Sequence, residues 1–240
     1  MANPDDSTGR TARPHPLLEP INLHSQSQFD ELLRQRKICG WSMTVEDLVT
    51  WRSEIDVGKQ YFFWILHPCS DSPLETEGQK QNVIYAGHIT TSRLDDPNHS
   101  FLPGAGETNG NPPDKVQYIG SLFILPEYRT VGLGRKAMSA IESLAKVPPY
   151  GGPEIKALTL NCLSGRYIDN DSSEEWRPFA EKVHAKMGLP MPERGRSNQA
   201  WYASMGFKYV GEKPSYNTGF YGQDGKEILF VAVAMRKDLD

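Results

Sequence analysis

The sequence predicts an α/β protein built on a mixed sheet. Two observations support this fold class. Stretches rich in aromatic and β-branched residues alternate along the chain with stretches of helical period, and hydrophobic residues make up 38% of the 240 residues, which is enough for a core. We expect one domain over residues 16–240, preceded over residues 1–15 by a flexible tail rich in Asp, Ser, Thr and Pro.

The first quarter of the chain predicts one short strand, at 17–23, and two helices. Ser25 is placed to cap a helix whose apolar residues recur at helical spacing, namely Phe29, Leu32, Leu33 and Ile38. A second helix is predicted to start near Thr44, because Glu46 and Asp47 then fall in a first turn that favours carboxylates. Its apolar stripe would consist of Val45, Leu48, Val49 and Trp51.

The remaining elements complete a sheet. Residues 61–66 are dense in aromatic and aliphatic side chains and predict a buried strand. A strand at 83–92 contains Gly87, which indicates a bulge or a close approach between strands. The other predictions are a strand at 116–125, a helix at 132–146, strands at 155–160, 207–210 and 228–235, and loops at 68–81 and 95–114.

Composition narrows the functional classes. With 26 basic and 30 acidic residues the net charge is -4, which argues against nucleic acid as a partner. Three widely spaced cysteines, Cys39, Cys69 and Cys162, lack metal-ligand spacing, so we expect no metal and reduced intracellular thiols. The N-terminus lacks a signal sequence, and no apolar run is long enough to span a bilayer. The expected location is cytoplasmic, with a nuclear pool left open, and no membrane partner is expected.

A glycine-containing segment between a strand and a helix predicts an anion site. The strand of residues 116–125 ends in a turn at Pro126, and Gly132 and Gly134 then open an amphipathic helix. Backbone N–H groups at a helix start bind anions, and glycines let the backbone approach a phosphate closely. Without further context, the glycines could equally serve only the tight geometry of the turn. No Gly-Lys-Ser/Thr follows, which excludes a P-loop, and a third glycine for a Rossmann fingerprint is absent.

Two segments in order along the chain resemble a known family. Leu-Pro-Glu-Tyr-Arg-Thr-Val-Gly-Leu-Gly-Arg-Lys-Ala-Met, residues 125–138, resembles motif A of the GNAT acetyltransferase superfamily, whose signature is Gln/Arg-x-x-Gly-x-Gly/Ala. The segment Asn198–Phe207 resembles motif B, a helix that ends in Tyr-x-x-x-Gly-Phe, with Gly206 as its stop. The resemblance implies a mixed, mostly antiparallel central sheet of six to seven strands with helices on both faces, and here an insertion at about 162–196.

The resemblance also implies acetyl-CoA as co-substrate and names the residues that bind it. The motif A loop would hold the pyrophosphate, and the backbone of the preceding strand would meet the pantetheine arm where that strand splays from the next. The implied cofactor-binding residues are Leu122, Phe123, Ile124, Arg129, Thr130, Val131, Gly132, Leu133, Gly134, Arg135, Asn161, Asn198 and Tyr202.

The family chemistry needs a proton for the leaving thiolate and a deprotonated amine. Tyr202 matches the family tyrosine that protonates the sulfur, although it could also anchor CoA or pack in the core. Several members place a glutamate eleven residues before the signature Gln/Arg, where this chain has Tyr118, a poor base at neutral pH. His88, Asp114 or a water chain are the alternatives, and His88 is the residue predicted to serve as base.

The predicted activity is an acetyl-CoA-dependent N-acetyltransferase that acts by direct attack of a primary amine, with a small-molecule amine as substrate. A protein or peptide N-acetyltransferase and a non-catalytic acyl-CoA sensor are the alternatives. The insertion, with a helix predicted from Ser173 through Met187, and the helices around Trp41 and Trp51 are expected to shape the acceptor pocket; a surface hairpin is the alternative. A monomer or a homodimer is expected.

Overall fold

The computed structural model describes residues 15–68, 83–93, 115–169, 173–186, 190–191, 193, 197–221 and 225–239. Its strands form one sheet of seven in the order β1-β2-β3-β4-β5-β7-β6. Every neighbouring pair is antiparallel except β4 and β5, which are parallel. The predicted mixed, mostly antiparallel sheet is therefore confirmed. The strands are β1 Leu18–Pro20, β2 Gln60–Pro68, β3 Val83–Arg93, β4 Lys115–Ile124, β5 Ile155–Leu163, β6 Lys208–Tyr221 and β7 Glu227–Asp238.

Five α-helices accompany this sheet in the described part of the chain. They are α1 Gln26–Cys39, α2 Val45–Asp56, α3 Leu133–Leu144, α4 Ser173–Lys186 and α5 Asn198–Ala203. Each predicted helix and strand is present, with shifted ends. The first strand is shorter than predicted, and β6 runs on to Tyr221 rather than ending near residue 210. The predicted tail lies outside the described residues except for His15, and the predicted loops at 68–81 and 95–114 lie outside them except for Pro68.

The helices lie on both faces of the sheet, as predicted. Side chains alternate along β2, so that Phe63 and Ile65 pack in one cluster with α3, whereas Phe62, Trp64 and Leu66 pack in another with α1 and α2. The first cluster contains Ala137, Met138 and Ile141 of α3 together with Leu158 and Leu160 of β5. The second contains Phe29, Leu32 and Leu48.

The apolar stripes predicted for α1 and α2 are only partly right. Thr44 does cap α2 in a full capping box with Asp47, and Leu48 is completely buried. Ile38, Val45 and Val49, however, are exposed. For α1 the physical reason is that it turns polar residues, Gln35 and Arg36, towards the sheet, where they meet polar groups of β3. On α2 the buried residue is Leu48.

The insertion folds as a unit with its own small core. Ala180 and Val183 of α4 pack with Tyr167 and Ile168, and this cluster rests on Phe230 of β7. The helix α4 begins at Ser173 as predicted and ends at Lys186. The expected role of the insertion in an acceptor pocket stays a prediction.

The outer strand β6 is irregular. Its pairing with β7 shifts register at three places, between Tyr209 and Gly211, between Pro214 and Tyr216, and between Asn217 and Tyr221. Each shift adds residues on β6 relative to β7, so the free edge of this strand does not present one continuous ladder.

Candidate active site

A gap opens between the two parallel strands at the centre of the sheet. Pairing of β4 with β5 runs from Lys115 opposite Ile155 to Ile119 opposite Leu160. Beyond this point β4 continues to Ile124 and pairs only with β3, whereas β5 continues to Leu163 and pairs only with β7. Because each strand follows its outer neighbour, the two backbones diverge and leave backbone groups facing an opening. This is the splay that the motif resemblance implied.

A bulge in β4 marks the beginning of the gap. On β3, Ile89 pairs with Leu122 and Thr91 pairs with Ile119, so β4 holds one extra residue here. The extra length lies at Gly120 and Ser121, where the Ser121 N–H donates to Thr90 Oγ1 at 2.8 Å. A Cβ at Gly120 would overlap the same hydroxyl, so glycine here lets Thr90 keep this contact. The Thr90 side chain thus supplies the acceptor that the disrupted ladder does not.

The predicted anion loop lies between β4 and α3. Gly132 caps α3 with a φ of 81°, and Thr130 also has a positive φ, 70°. Among the described residues, none accepts a hydrogen bond from the backbone N–H groups of residues 130–135. Consecutive unpaired N–H groups at the positive end of a helix form an anion-binding concavity. Thr130, Val131 and Gly132 are exposed, so the loop is open to a ligand.

The two arginines of this loop also tie it to its neighbours. Arg129 donates from Nε to the carbonyl of Ile124 at 3.0 Å and lies over the Phe123 ring. Arg135 donates to Ser204 Oγ, just after α5, at 3.0 Å. Both residues are exposed, so each positive charge lies at the open side of the loop. Arg129 and Arg135 thus lie at the two ends of the loop, and their part in binding an anion stays a prediction.

The second motif packs directly against the first. Ser197 caps α5, and Asn198 is the first residue of that helix. A Cβ added at Gly134 would lie 3.3 Å from Trp201, so α3 and α5 approach closely at this point. The end of α5 is closed by Gly206, with φ 91°, through hydrogen bonds from Phe207 N to Tyr202 O and from Gly206 N to Ala203 O. Gly206 as the stop is confirmed.

Tyr202, in the second motif, is buried in the main core. Its side chain is 8% exposed and belongs to the cluster that contains Leu133, and on which Leu122 and Ile124 pack. Its ring meets Trp201 and Phe207 edge to face. Tyr202 thus shares a core cluster with residues of β4 and of the anion loop, and its role as proton donor stays a prediction.

Asn161 is the first residue of β5 beyond the last pair with β4. Its Oδ1 is buried and has no hydrogen-bond partner in the described part of the chain. A buried amide oxygen without a donor is costly, and an atom left so at the edge of a gap is suited to a ligand N–H. This is the place that the resemblance implied for a contact with the pantetheine arm.

The structure argues against His88 as the general base, and this prediction is corrected. The ring is completely buried; its Nδ1 lies 3.0 Å from Gln35 Oε1, and its Nε2 lies 3.3 Å from an Arg36 nitrogen. Burial, and secondarily the Arg36 charge, lower the His88 pKa to about 3. Both nitrogens are thus occupied by α1, and so weak a base does not take a proton from an amine. His88 instead joins β3 to α1.

The other candidates for the base differ in what the structure says of them. Asp114 lies outside the described residues. Burial raises the pKa of Tyr118 despite hydrogen bonds from Asn161, which agrees with its description as a poor base.

Sequence reasoning missed Thr90 and Trp201. Gly120-Ser121 within a strand pattern is the signal that could have indicated the bulge, but nothing in the sequence points to Thr90 as its partner.

The described residues contain no group of three or more His, Cys, Asp or Glu side chains that could hold a metal ion. No helix among them is both long and apolar enough to cross a membrane.

A cavity of about 580 Å³ lies next to α5. Gln199 and Ala203 of that helix line it, together with Val233 and Met235 of β7. None of the predicted site residues lines it.

The sequence matches no protein-family model and no curated protein. Solved structures do match. An aminoglycoside 6'-N-acetyltransferase complexed with coenzyme A is 13% identical, with a TM-score of 0.50 over 93% of this chain and 97% of that chain. The GphF GNAT-like decarboxylase in complex with isobutyryl-CoA is 14% identical, with a TM-score of 0.52 over 93% and 99%. Arabidopsis thaliana NAA60 in complex with acetyl-CoA is 12% identical, with a TM-score of 0.48 over 92% and 97%.

Similarity at such low identity establishes the architecture. The chain has the GNAT fold, which the two motifs had implied. Its activity and ligands are argued separately below, from its own residues.

Proposed function

We propose that this protein is an acetyl-CoA-dependent N-acetyltransferase that acts on a primary amine. The observation that carries the proposal is the continuity of two features along β4. The strand first opens a gap towards β5 and then leads directly into a loop of unpaired N–H groups at the start of α3. A long ligand with an amide-bearing arm and a pyrophosphate at its end fits this succession.

The residues present fit the parts of such a ligand. The N–H groups of residues 130–135 and the Arg129 and Arg135 charges suit the pyrophosphate. The backbone of residues 122–124 faces the gap and suits the pantetheine arm, and Asn161 Oδ1 is a buried acceptor for one of its amide N–H groups. Asn198 lies at the start of α5, on the same helix as Tyr202. Acetyl-CoA, when bound, supplies an acetyl group activated as a thioester.

The chain's own groups provide the rest of the chemistry. A backbone N–H in the stretch 122–124 donates to the oxygen that becomes negative as the amine attacks the acetyl carbon. Tyr202 provides the proton for the departing sulfur. Water takes the proton of the amine and returns one to Tyr202, so that both proton transfers balance without a side-chain base. His88 has no part in this reaction.

A small-molecule amine is the proposed acceptor. The two neighbours with TM-scores of at least 0.5 were solved with CoA or an acyl-CoA, which supports a CoA derivative as the ligand. One of them is named as a transferase that acts on an aminoglycoside and the other as a decarboxylase. A protein or peptide acceptor and a non-catalytic acyl-CoA sensor are therefore the alternatives that the experiment must separate.

Binding is tested first, with a variant that changes charge without changing packing. Val131 is 53% exposed in the middle of the loop, so Val131→Asp adds a negative charge next to a bound phosphate. Calorimetry with acetyl-CoA is expected to show at least tenfold weaker binding. The matched control is Val57→Asp, at a 67% exposed position after α2, which is expected to bind like the wild type.

Turnover is tested next, by following the free thiol released from acetyl-CoA with a panel of small amines and N-terminal peptides. Release that depends on a small amine supports the proposal, and release with peptides alone supports the protein-acetylating alternative. Binding without turnover on either panel identifies a sensor. The proposal fails at the first step if the wild type does not bind acetyl-CoA.

A further inference from the structure

The position that carries a glutamate in several GNAT members is occupied here by Tyr118, and the structure shows where its side chain lies. Tyr118 pairs with Thr159 across β4 and β5, one residue before the last pair of the ladder. Side chains two residues apart on a strand share a face, so Asn161 lies on the same face as Tyr118, further along the gap. A Cβ at Gly120 would lie 3.8 Å from Tyr118 Cε1, so the ring extends along β4 towards the gap.

The Tyr118 phenol meets Asn161 there. Burial raises the pKa of this phenol, and the side-chain amide and backbone N–H of Asn161 act against that rise, as donors close to the phenol oxygen do. A primary amide has a donor end and an acceptor end. An amide that turns its donor end to the phenol leaves its acceptor end for another group, and Oδ1 is the buried atom that has no partner among the described residues.

We propose that Tyr118 is a positioning residue, whose phenol fixes the amide of Asn161 so that Oδ1 faces the β4–β5 gap and accepts an amide N–H of an extended ligand arm. The inference rests on the proposed function, since the pantetheine arm is the ligand part that would donate this hydrogen bond. Tyr118 then acts through Asn161 and has no proton-transfer role.

The choice of tyrosine follows from this role. A carboxylate at position 118 would accept from the Asn161 amide too, but it would bring a charge into a buried place between two strands. The neutral phenol can accept hydrogen bonds from the same amide at no such cost. Position 118 therefore orients a ligand contact in this chain.

The test compares two ligands that share only one end. CoA has the pantetheine arm, whereas adenosine 3',5'-bisphosphate has phosphates for the loop and no arm. Tyr118→Phe removes the phenol oxygen and keeps the ring, and Asn161→Leu removes the amide and keeps its volume. Each variant is expected to bind CoA about tenfold more weakly, the loss of one well-placed hydrogen bond, and to bind the bisphosphate like the wild type.

The double variant separates positioning from an independent contact. If Tyr118 acts only through Asn161, the double variant binds CoA no more weakly than Asn161→Leu alone. Losses that add, or an unchanged CoA affinity in Tyr118→Phe, would overturn the inference. Equal losses for both ligands would also overturn it, since they would show damage to the loop or the fold. Tyr209→Phe, at a 55% exposed position on β6, is the matched control for removal of a phenol oxygen.

The two proposals fail in different ways. A wild type that binds neither CoA nor the bisphosphate would refute the proposed function and the inference with it. A wild type that binds both, with a Tyr118→Phe variant of unchanged CoA affinity, would refute only the inference. If Tyr118→Phe does not fold, the CoA-specific loss expected for Asn161→Leu still decides whether the arm contacts this amide.

Discussion

The Trp201 ring lies so close to Gly134 that a Cβ there would be 3.3 Å from ring atom Cζ2. One residue belongs to the first motif and the other to the second, so this contact fixes the start of α3 against α5. Glycine at position 134 therefore has a packing role in addition to the phosphate binding that we propose for its loop. A bulky substitution at Gly134 would test both at once, which is why Val131 is the better site for a binding test.

We expect Gly134→Leu to lower the free energy of unfolding by about 1–3 kcal/mol, because the added side chain overpacks against the Trp201 ring. In a Trp201→Ala background the same substitution should lower the free energy of unfolding by clearly less. Urea unfolding of the four proteins measures the coupling. An equal loss in both backgrounds would show that the ring is not what excludes a side chain.

Two neighbouring threonines on β3 give a matched pair of substitutions. Thr90 Oγ1 accepts the Ser121 N–H at the bulge, whereas Thr91 Oγ1 is buried and has no partner in the described part of the chain. Thr90→Val should cost about 1–3 kcal/mol of stability, since it leaves a backbone N–H unpaired. Thr91→Val should be neutral or stabilising, as measured by thermal unfolding. If Thr91→Val lowered the stability more than Thr90→Val, Thr90 would not be the acceptor that stabilises the bulge.

Stability should fall in acid through His88. The folded-state pKa is lowered to about 3 from the ordinary histidine value of 6.5, so between these values the unfolded chain binds a proton that the folded chain does not. Stability therefore rises with pH in this window, by about 1.4 kcal/mol per pH unit, and is lost as the pH falls below about 6.5. Between pH 7 and pH 5 this single residue contributes a loss of about 2 kcal/mol.

His88→Gln is the variant that checks this origin, since an amide can still accept from Arg36 and donate to Gln35. Its free energy of unfolding should depend less on pH between 7 and 5, by about 2 kcal/mol. The same substitution at His24 is the control, because His24 is exposed and its side chain pairs with Asp56 at the surface. A His88→Gln variant with the wild-type pH dependence would place the acid sensitivity elsewhere.

The Cys162 thiol should be inert while the protein is folded. Burial raises its pKa to about 12, and its sulfur lies 3.8 Å from Met235 Sδ in the core. Alkylation at pH 8, followed by mass spectrometry of the Cys162 peptide, should therefore occur only at the rate of global unfolding. Labelling much faster than unfolding, measured in parallel by urea pulses, would contradict this.

The sequence was informative wherever local chemistry decides structure. The loop after β4 was predictable because its glycines open a helix within a segment that resembles a family motif, and Gly206 because a helix stop needs a positive φ. The exposure of Val45 and Val49 was not predictable. Helical periodicity does not say how much of an apolar stripe the neighbouring elements cover, and on α2 the buried residue is Leu48.

The candidate site, too, was only partly predictable from the sequence. The order of the motifs predicted which strand leads to the loop, but the bulge and the partner of its N–H depend on a register between β3 and β4 that no local pattern encodes. His88 was mistaken for a base because its intrinsic pKa is suitable. Only burial and the nearby Arg36, both tertiary features, depress that pKa out of range.

The irregular outer strand has a consequence for the behaviour of the protein at high concentration. Sheets with a long, straight free edge recruit other chains, because each added strand satisfies a full row of backbone groups. Along β6 such a row is broken at three register shifts, and Pro214 offers no N–H at all. A second molecule that aligned with this edge would gain only short runs of hydrogen bonds, which disfavours the addition of strands at β6.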